Sequence, residues 1–246
     1  METKVINKAT NKKPKVCMVG SLHGNELIGK EVIEYLATKK PKTKLSIIGI
    51  VANIEAIKIR KRFIDVDGNR CFPGSPNGNV EERMAYEILK VTKDCDYVID
   101  IHSTYAKQPD VIIITKKKAM KLARYIPIKK VLFMGKSIAS GKALIDHVKC
   151  GVSIEFNRKR SKEYVAKMII KAIKAIEKGK IYNKKEIYKV LGFYGKKDSR
   201  YKWKNFKEIK EKEVKKQFPK AKRLYPIFIG EPSYSFYCML ATKIKK

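Results

Sequence analysis

Five short, nearly unbroken apolar runs constrain this chain more than any other feature: residues 15–20 (KVCMVG), 45–51 (LSIIGIV), 97–101 (YVIDI), 111–115 (VIIIT) and 151–156 (GVSIEF). A strand that is apolar on both faces must be covered on both, which is the habit of parallel sheets enclosed by helices. The intervening segments supply those helices. Residues 25–38 set Ile28, Val32, Ile33 and Leu36 at helical spacing, residues 81–91 align Met84, Ile88 and Val91, and residues 162–178 form a third helical stretch. The alternation predicts an α/β fold, a mostly parallel (mixed) sheet flanked by helices.

From about residue 179 the texture changes to Tyr and Lys in short strand-like pieces, punctuated by Trp203, Pro219, Pro226 and Pro232. Two units are therefore expected, a catalytic domain over 1–178 and a small β-rich C-terminal domain over 179–246. The charge-dense stretch 208–216 reads either as a loop or as a solvated helix.

With 246 residues, 44% of them hydrophobic, the chain has enough apolar material for a large core. No window reaches the roughly 18 to 20 apolar residues that a membrane span requires, so no membrane association is expected. The opening METKVINKATNKKPK is basic and polar with no apolar stretch behind it, which points to a cytoplasmic protein. The cysteines Cys17, Cys71, Cys95, Cys150 and Cys238 include no C-x-x-C pair and read as reduced thiols.

The net charge of +33 raises a nucleic-acid reading. Such a surface attracts polyanions weakly and in a salt-dependent way. The lysines are scattered, however, and no helix-turn-helix, RNP-like strand or zinc-finger spacing accompanies them. A basic nucleic-acid-binding protein thus rests on bulk charge alone, and no specific nucleic-acid partner is expected.

The chain contains 3 histidines, so each placement is informative. His23 lies in GSLHGNE at the junction of the first strand and first helix, three residues before Glu26, and such a pair can grip one metal ion. His102 follows YVIDI where that strand gives out. Ligands of open α/β sheets gather outside the carboxyl ends of the strands, which would bring His23, Glu26 and His102 to one crevice. Three N/O donors leave a fourth position for water, the arrangement of catalytic zinc.

Asp100, two residues before His102, is either a hydrogen-bond partner for a ligand or the cap of a turn. Glu155, between Ile154 and Phe156, is expensive to bury unless paired or functional, and is a candidate general base; the alternative is an ion pair with a lysine. Arg62 and Arg70 lie eight apart in a Gly/Pro-bounded loop, in a chain with nine arginines. Arginine suits bidentate carboxylate recognition and the holding of developing negative charge, although either could simply pair with Asp65 or Asp67.

Taken in order, GSLHGNE, RFIDVDGNRCFPG, DIHST, SIEF and the later YPIFIGEPSY resemble the aspartoacylase and succinylglutamate desuccinylase family of zinc-dependent deacylases, relatives of the zinc carboxypeptidases. The resemblance implies a zinc-carboxypeptidase-like fold and one Zn2+ per chain held by His23, Glu26 and His102, with Glu155 as general acid/base. It further implies Arg62 polarising the scissile carbonyl, and Asn69, Arg70 and Tyr234 binding a substrate carboxylate. The function implied is hydrolysis of the amide bond of a small N-acyl amino acid or related carboxylate. A carboxypeptidase-like peptidase is the alternative within enzymes, and a homo-oligomer is left open. Two departures stand out. Gly68 replaces the usual Leu, and Ile145 occupies the place where aspartoacylase has a further arginine, for which Lys149 is the nearest substitute. His147 matches no family position and reads as a surface or core histidine.

Overall fold

The computed structural model describes residues 1–9, 14–135, 139–199 and 201–244. Within them the chain runs β1 (Glu2–Asn7), β2 (Lys15–Gly20), α1 (Ile28–Lys39), β3 (Ser46–Val51), α2 (Ile54–Lys58) and α3 (Val80–Thr92). It continues through β4 (Tyr97–Thr104), β5 (Val111–Ile114), α4 (Met120–Tyr125), β6 (Lys130–Phe133), α5 (Leu144–His147), β7 (Gly151–Asn157) and α6 (Lys162–Lys178). The last elements are β8 (Glu186–Lys196), α7 (Lys212–Gln217), β9 (Tyr225–Ile227) and β10 (Phe236–Ile244). The strands form one mixed sheet in the order β1-β3-β2-β4-β7-β5-β6-β8-β10-β9. This is the α/β class that the apolar runs predict.

Strands β3, β2, β4 and β7 are mutually parallel, so the ends of β2, β4 and β7 open on the same side. Beyond β7 the sheet reverses, with β5 antiparallel to β7 and β6 and β8 parallel to β5 and β6 in turn. Strand β2 explains why its run is apolar throughout: Val16 and Met18 join the core layer containing Val32, Leu36 and Ile169, while Cys17 and Val19 join the opposite layer with Met84 and Ile88. Successive side chains point to opposite faces, and both faces are covered. Each fully buried Val or Ile contributes about 1.5–3 kcal/mol relative to exposure.

Local signals set the helix ends. Ser161 caps α6 by accepting from the Tyr164 N–H, and Gly179 closes it at φ 65°, where glycine has no Cβ penalty. Asn79 and Glu82 form a reciprocal capping box on α3. Helix α1 starts at Ile28, later than its periodicity suggests. Residues 21–27 instead form a turn, closed by the Glu26 N–H donating to the His23 carbonyl at 3.0 Å and by Ser21 Oγ donating to the Glu26 carbonyl at 2.9 Å. His23 and Glu26 therefore sit before the helix, where the turn fixes their separation.

The segment after residue 178 supplies β8, β10 and β9, which prolong the same sheet. It also has an apolar cluster of its own, with Ile209, Val214, Leu224, Cys238 and Leu240 at its centre. In the stretch 208–216 the helical alternative holds from Lys212 onward, as α7. Among the described residues no helix is long and apolar enough to cross a membrane, and all five cysteines are free thiols.

Candidate active site

Three adjacent parallel strands end at the site. The turn after β2 carries His23 and Glu26, the end of β4 carries His102, and the end of β7 carries Glu155. His102 and Glu155 are register partners across β4 and β7, one step beyond the Ile101–Ile154 pair. Asp100 and Ser153 are likewise partners two residues earlier, so the period of two places all four side chains on one face.

Glu26 lies between the two imidazoles. Its Oε1 is 2.9 Å from His23 Nδ1 and its Oε2 is 3.1 Å from His102 Nδ1. The Ser103 N–H donates to the same Oε2 at 3.0 Å. The opposite ring nitrogens face other carboxylates: His23 Nε2 is 3.0 Å from Asp67 Oδ1, and His102 Nε2 is 2.7 Å from Asp100 Oδ2. Ser153 Oγ donates to that Asp100 oxygen at 2.9 Å, and Asp100 is fully buried. Of the two sequence alternatives for Asp100, the structure shows a side chain bonded to His102 rather than the cap of a turn.

This pattern is a test of whether the residues fit a metal. With Nε2–H donated to a carboxylate, a neutral histidine presents a bare lone pair at Nδ1, here aimed at a carboxylate oxygen, and two such arrangements converge on Glu26. Lone pair against lone pair is relieved by a cation. The donor atoms of His23, Glu26 and His102 all lie within 4.8 Å of one another, and all three residues are buried. Two imidazole nitrogens and a carboxylate oxygen are the donor set of open zinc sites, and each histidine has the carboxylate partner that typically orients such ligands. The residues fit the group.

Arg62 closes one side. Its Nη1 donates to Glu26 Oε1 at 3.0 Å, and its Nε and Nη2 donate to Asp67 Oδ2 at 3.1 and 3.0 Å. Nη2 also lies 3.0 Å from His23 Nε2, donor facing donor, and Asp67 accepts from both groups and so holds them side by side. Burial works to raise the Asp67 carboxyl, but His23 and Arg62 outweigh it and hold it far below the usual carboxylate range. The same balance keeps Glu26 ionised, its burial overcome by the two histidines. Glu155 goes the other way. Burial pushes it up to about 7, Glu26 and Glu231 adding to the rise and His102 opposing it. Such a value suits a group that both takes and returns a proton near neutrality.

The loop carrying Arg62 and Arg70 is built around Glu81, which is fully buried and accepts from the backbone N–H groups of Ile64, Asp65 and Val66 at 2.7, 3.0 and 3.2 Å. Asp67 accepts from the Asn69 N–H at 2.9 Å and starts the short 3-10 turn Gly68–Arg70. The departure at Gly68 has a steric cause: a Cβ there would stand 2.8 Å from the Leu22 carbonyl oxygen, next to His23. Asn69 Nδ2 comes within 3.2 Å of His102 Nε2. Arg70 is exposed at the rim, one N–H donated to the Asn69 carbonyl at 2.8 Å. Tyr234, half-buried, faces the same cavity, and burial lifts its hydroxyl above the ordinary range.

Two further placements answer the sequence. Lys149 does not reach the site; it is an exposed side chain paired with Asp96 at 2.7 Å, so it does not stand in for the arginine missing at Ile145. His147 is also exposed, 2.8 Å from the Gly141 carbonyl. Glu231 was not singled out by the sequence reading. Its Oε2 accepts from Thr104 Oγ1 at 2.6 Å and the Tyr105 N–H at 3.0 Å, which ties the Tyr234 loop to the end of β4. Only its position in the YPIFIGEPSY stretch signalled it, because its partners Thr104 and Tyr105 lie more than 120 residues away.

A mixed sheet with this cluster at the ends of its parallel strands defines the class of zinc-carboxypeptidase-like α/β proteins. Residues 12–156 match the succinylglutamate desuccinylase/aspartoacylase catalytic domain, and the chain belongs to that family. It is 31% identical over 142 residues to a probable aspartoacylase of Nostoc sp., a match covering 50% of this chain and 48% of that protein. It is also 27% identical over 107 residues to an N-acyl-aromatic-L-amino acid amidohydrolase (carboxylate-forming) of Danio rerio, covering 36% of this chain and 34% of the other. The matched part thus spans about half the length, or less, of these curated relatives. Among solved structures, murine aminoacylase 3 shares the fold with a TM-score of 0.76 at 16% identity, covering 95% of this chain and 97% of that one. Succinylglutamate desuccinylase from Chromobacterium violaceum follows at 0.68 and 14%, covering 96% and 86%.

Proposed function

We propose that the protein is a zinc-dependent deacylase that hydrolyses the amide bond of a small N-acyl amino acid. The observation that carries this reading is the convergence of His23, Glu26 and His102 on one point, with Glu155 and Arg62 lining the cavity beside it. Zinc, held by those three residues, would supply Lewis acidity toward a water and the scissile carbonyl. Glu155 takes a proton from the attacking water and delivers it to the departing amine. Arg62, fixed by Asp67, donates to the carbonyl oxygen as it becomes negative. Asn69 and Arg70 hold the carboxylate of the amino acid, and Tyr234 closes over it. Residues 1–178 carry the metal and proton chemistry in this reading, while 179–246 wall the cavity through Tyr234 and Met239.

A screen of N-acyl amino acids against the zinc-loaded protein, reading released amine, tests the reading. Metal-dependent release from at least one of them is expected. Equal release with and without chelator, or none from any, would contradict it.

A further inference from the structure

Helix α6 turns one face to the core and the opposite face to solvent. Val165, Ile169, Ile173 and Ile176 are buried beneath it, while Lys167, Lys171, Lys174 and Lys178 stand exposed above them. At 3.6 residues per turn these four lysines fall within about 60° of one another and extend along about 16 Å of the helix. Helix α4 packs against α6 and covers the same side of the sheet through Leu122 and Ala123. The Tyr182 N–H, just past α6, donates to the Arg124 carbonyl at 2.7 Å. Lys121 and Arg124 of α4 are also exposed, so the lysine stripe is flanked by further cations.

On α1, α2 and α3 a lysine is neutralised one turn away: Lys30 by Glu34 at 2.8 Å, Lys58 by Glu55 at 3.1 Å and Lys90 by Glu87 at 3.1 Å. The six cations of α4 and α6 are treated differently. Every Asp and Glu of the chain is a described residue, and none forms an ion pair with any of the six. Of the two acids on α6, Glu163 lies in the first turn, ahead of Lys167. Glu177 is turned aside, accepting from the Lys44 N–H at 2.8 Å and the Thr43 hydroxyl at 3.3 Å. Lysines three and four apart on a helix repel one another. The apolar face of α6 offsets that repulsion in the free protein, and a bound polyanion would relieve it.

We propose that the α6 face, flanked by α4, is a docking surface for duplex DNA, gripped through its phosphates without reading the sequence. A straight row of cations matches a regularly charged backbone. The stripe carries no arginine, asparagine or glutamine to read base edges and no aromatic ring to stack on single-stranded bases. It also has no apolar side chain to enter a bilayer, since Met168 and Ile170 between the lysines pack against the core. An acidic protein partner would need the apolar centre that such interfaces bury. The major groove of B-form DNA, about 12 Å wide, lets a convex helix approach both flanking backbones, whereas that of duplex RNA is deep and narrow. None of the six cations lines either cavity that holds Glu155, so a docked duplex leaves the candidate active site open.

The test removes four charges from this face and four from another. One variant combines Lys167→Gln, Lys171→Gln, Lys174→Gln and Lys178→Gln; the comparison variant combines Lys202→Gln, Lys204→Gln, Lys207→Gln and Lys210→Gln, all exposed in the C-terminal segment. Fluorescence anisotropy follows binding to two unrelated DNA duplexes of about 20 base pairs between roughly 50 and 200 mM salt. Wild type is expected to bind both duplexes equally. The α6 variant should bind at least tenfold more weakly at about 100 mM salt, with the slope of log affinity against log salt shallower by about three to four. The comparison variant should lose less than about threefold and change that slope by less than about one. Its thermal melt should show the α6 variant at least as stable as wild type, because like charges are removed from one helix face. Should it fail to fold, Lys174→Gln with Lys178→Gln carries the same test with about half the slope change. Equal losses in the two variants, unchanged binding by the α6 variant or no binding by wild type overturns the proposal. Tighter binding to duplex RNA of the same sequence, or to phosphatidylserine vesicles at the same salt, overturns it in favour of that partner.

Discussion

His102 and Glu155 face one another across neighbouring parallel strands, a ligand candidate and a base candidate set in register by the same ladder that pairs Ile101 with Ile154. The placement depends on strand pairing, so the sheet itself holds Glu155 beside the His23–Glu26–His102 cluster. A one-residue slip of either strand would turn its side chain to the opposite face and separate the pair.

The first prediction concerns the metal. Purified protein reconstituted with zinc should hold about one ion per chain, and His23→Ala and His102→Ala should each lose it. Asp100→Asn should keep the ion but bind it roughly 10–100-fold more weakly, because the amide cannot replace a carboxylate behind His102 Nε2. Competition with a chromogenic chelator reads this directly; unchanged affinity in all three variants would remove the site.

The two arginines should separate kinetically. Arg62→Lys should depress kcat by about 10²-fold, since the charge it meets is complete only in the transition state. Arg70→Lys should mainly raise KM, the mark of binding lost equally from substrate and transition state. Steady-state kinetics on a cleaved N-acyl amino acid decide this, and equal small effects would mean the loop is misassigned.

Gly68 should resist substitution. Gly68→Ala places a Cβ 2.8 Å from a backbone oxygen that has no freedom to swing away, so the loop or the Leu22–His23 turn must shift. A loss of about 1–3 kcal/mol in denaturant unfolding is expected, together with weaker metal binding. A variant as stable as wild type would show that the contact is slack.

Acid stability should depend on Glu186. Its hydrogen bonds to Lys129 and Lys130 hold its carboxyl down at about 2, against an ordinary value of 4.5. A carboxylate depressed on folding stabilises the native state above its ordinary pKa, and that contribution fades as pH falls through the folded value. Glu186→Gln should therefore be less stable near pH 7, by about 1 kcal/mol once solvent screening of this surface cluster is allowed for. The gap from wild type should close between about pH 4.5 and 2. Paired thermal melts across that window check it; a constant gap would point to packing instead.

The His23–Glu26–His102 cluster was legible because histidine is scarce and each short motif ends an apolar run. Helix α6 was legible to its last residue, since a serine cap and a closing glycine bracket an amphipathic stretch. Strand β1 was not. It pairs only with β3, so most of its side chains stay in solvent and it reads as a basic tail. Strand β4 runs past its apolar run through His102, Ser103 and Thr104, because polar residues that face a site carry no hydrophobic signal. Strand β6 was missed because a strand of four residues that begins with Lys130 is too short to show a period. The partners of Glu231 and Lys149 follow from chain reversals far apart in sequence, and no local pattern encodes them.

The most direct test of the central claim measures zinc content and amine release on one preparation of Glu155→Gln beside wild type. The amide keeps the shape of the side chain but cannot accept a proton from the attacking water. Unchanged zinc at about one ion per chain, with turnover reduced by at least about 10²-fold, is the predicted result. Wild-type turnover in the variant would contradict the account, and loss of zinc with turnover would move Glu155 from proton transfer to holding the metal.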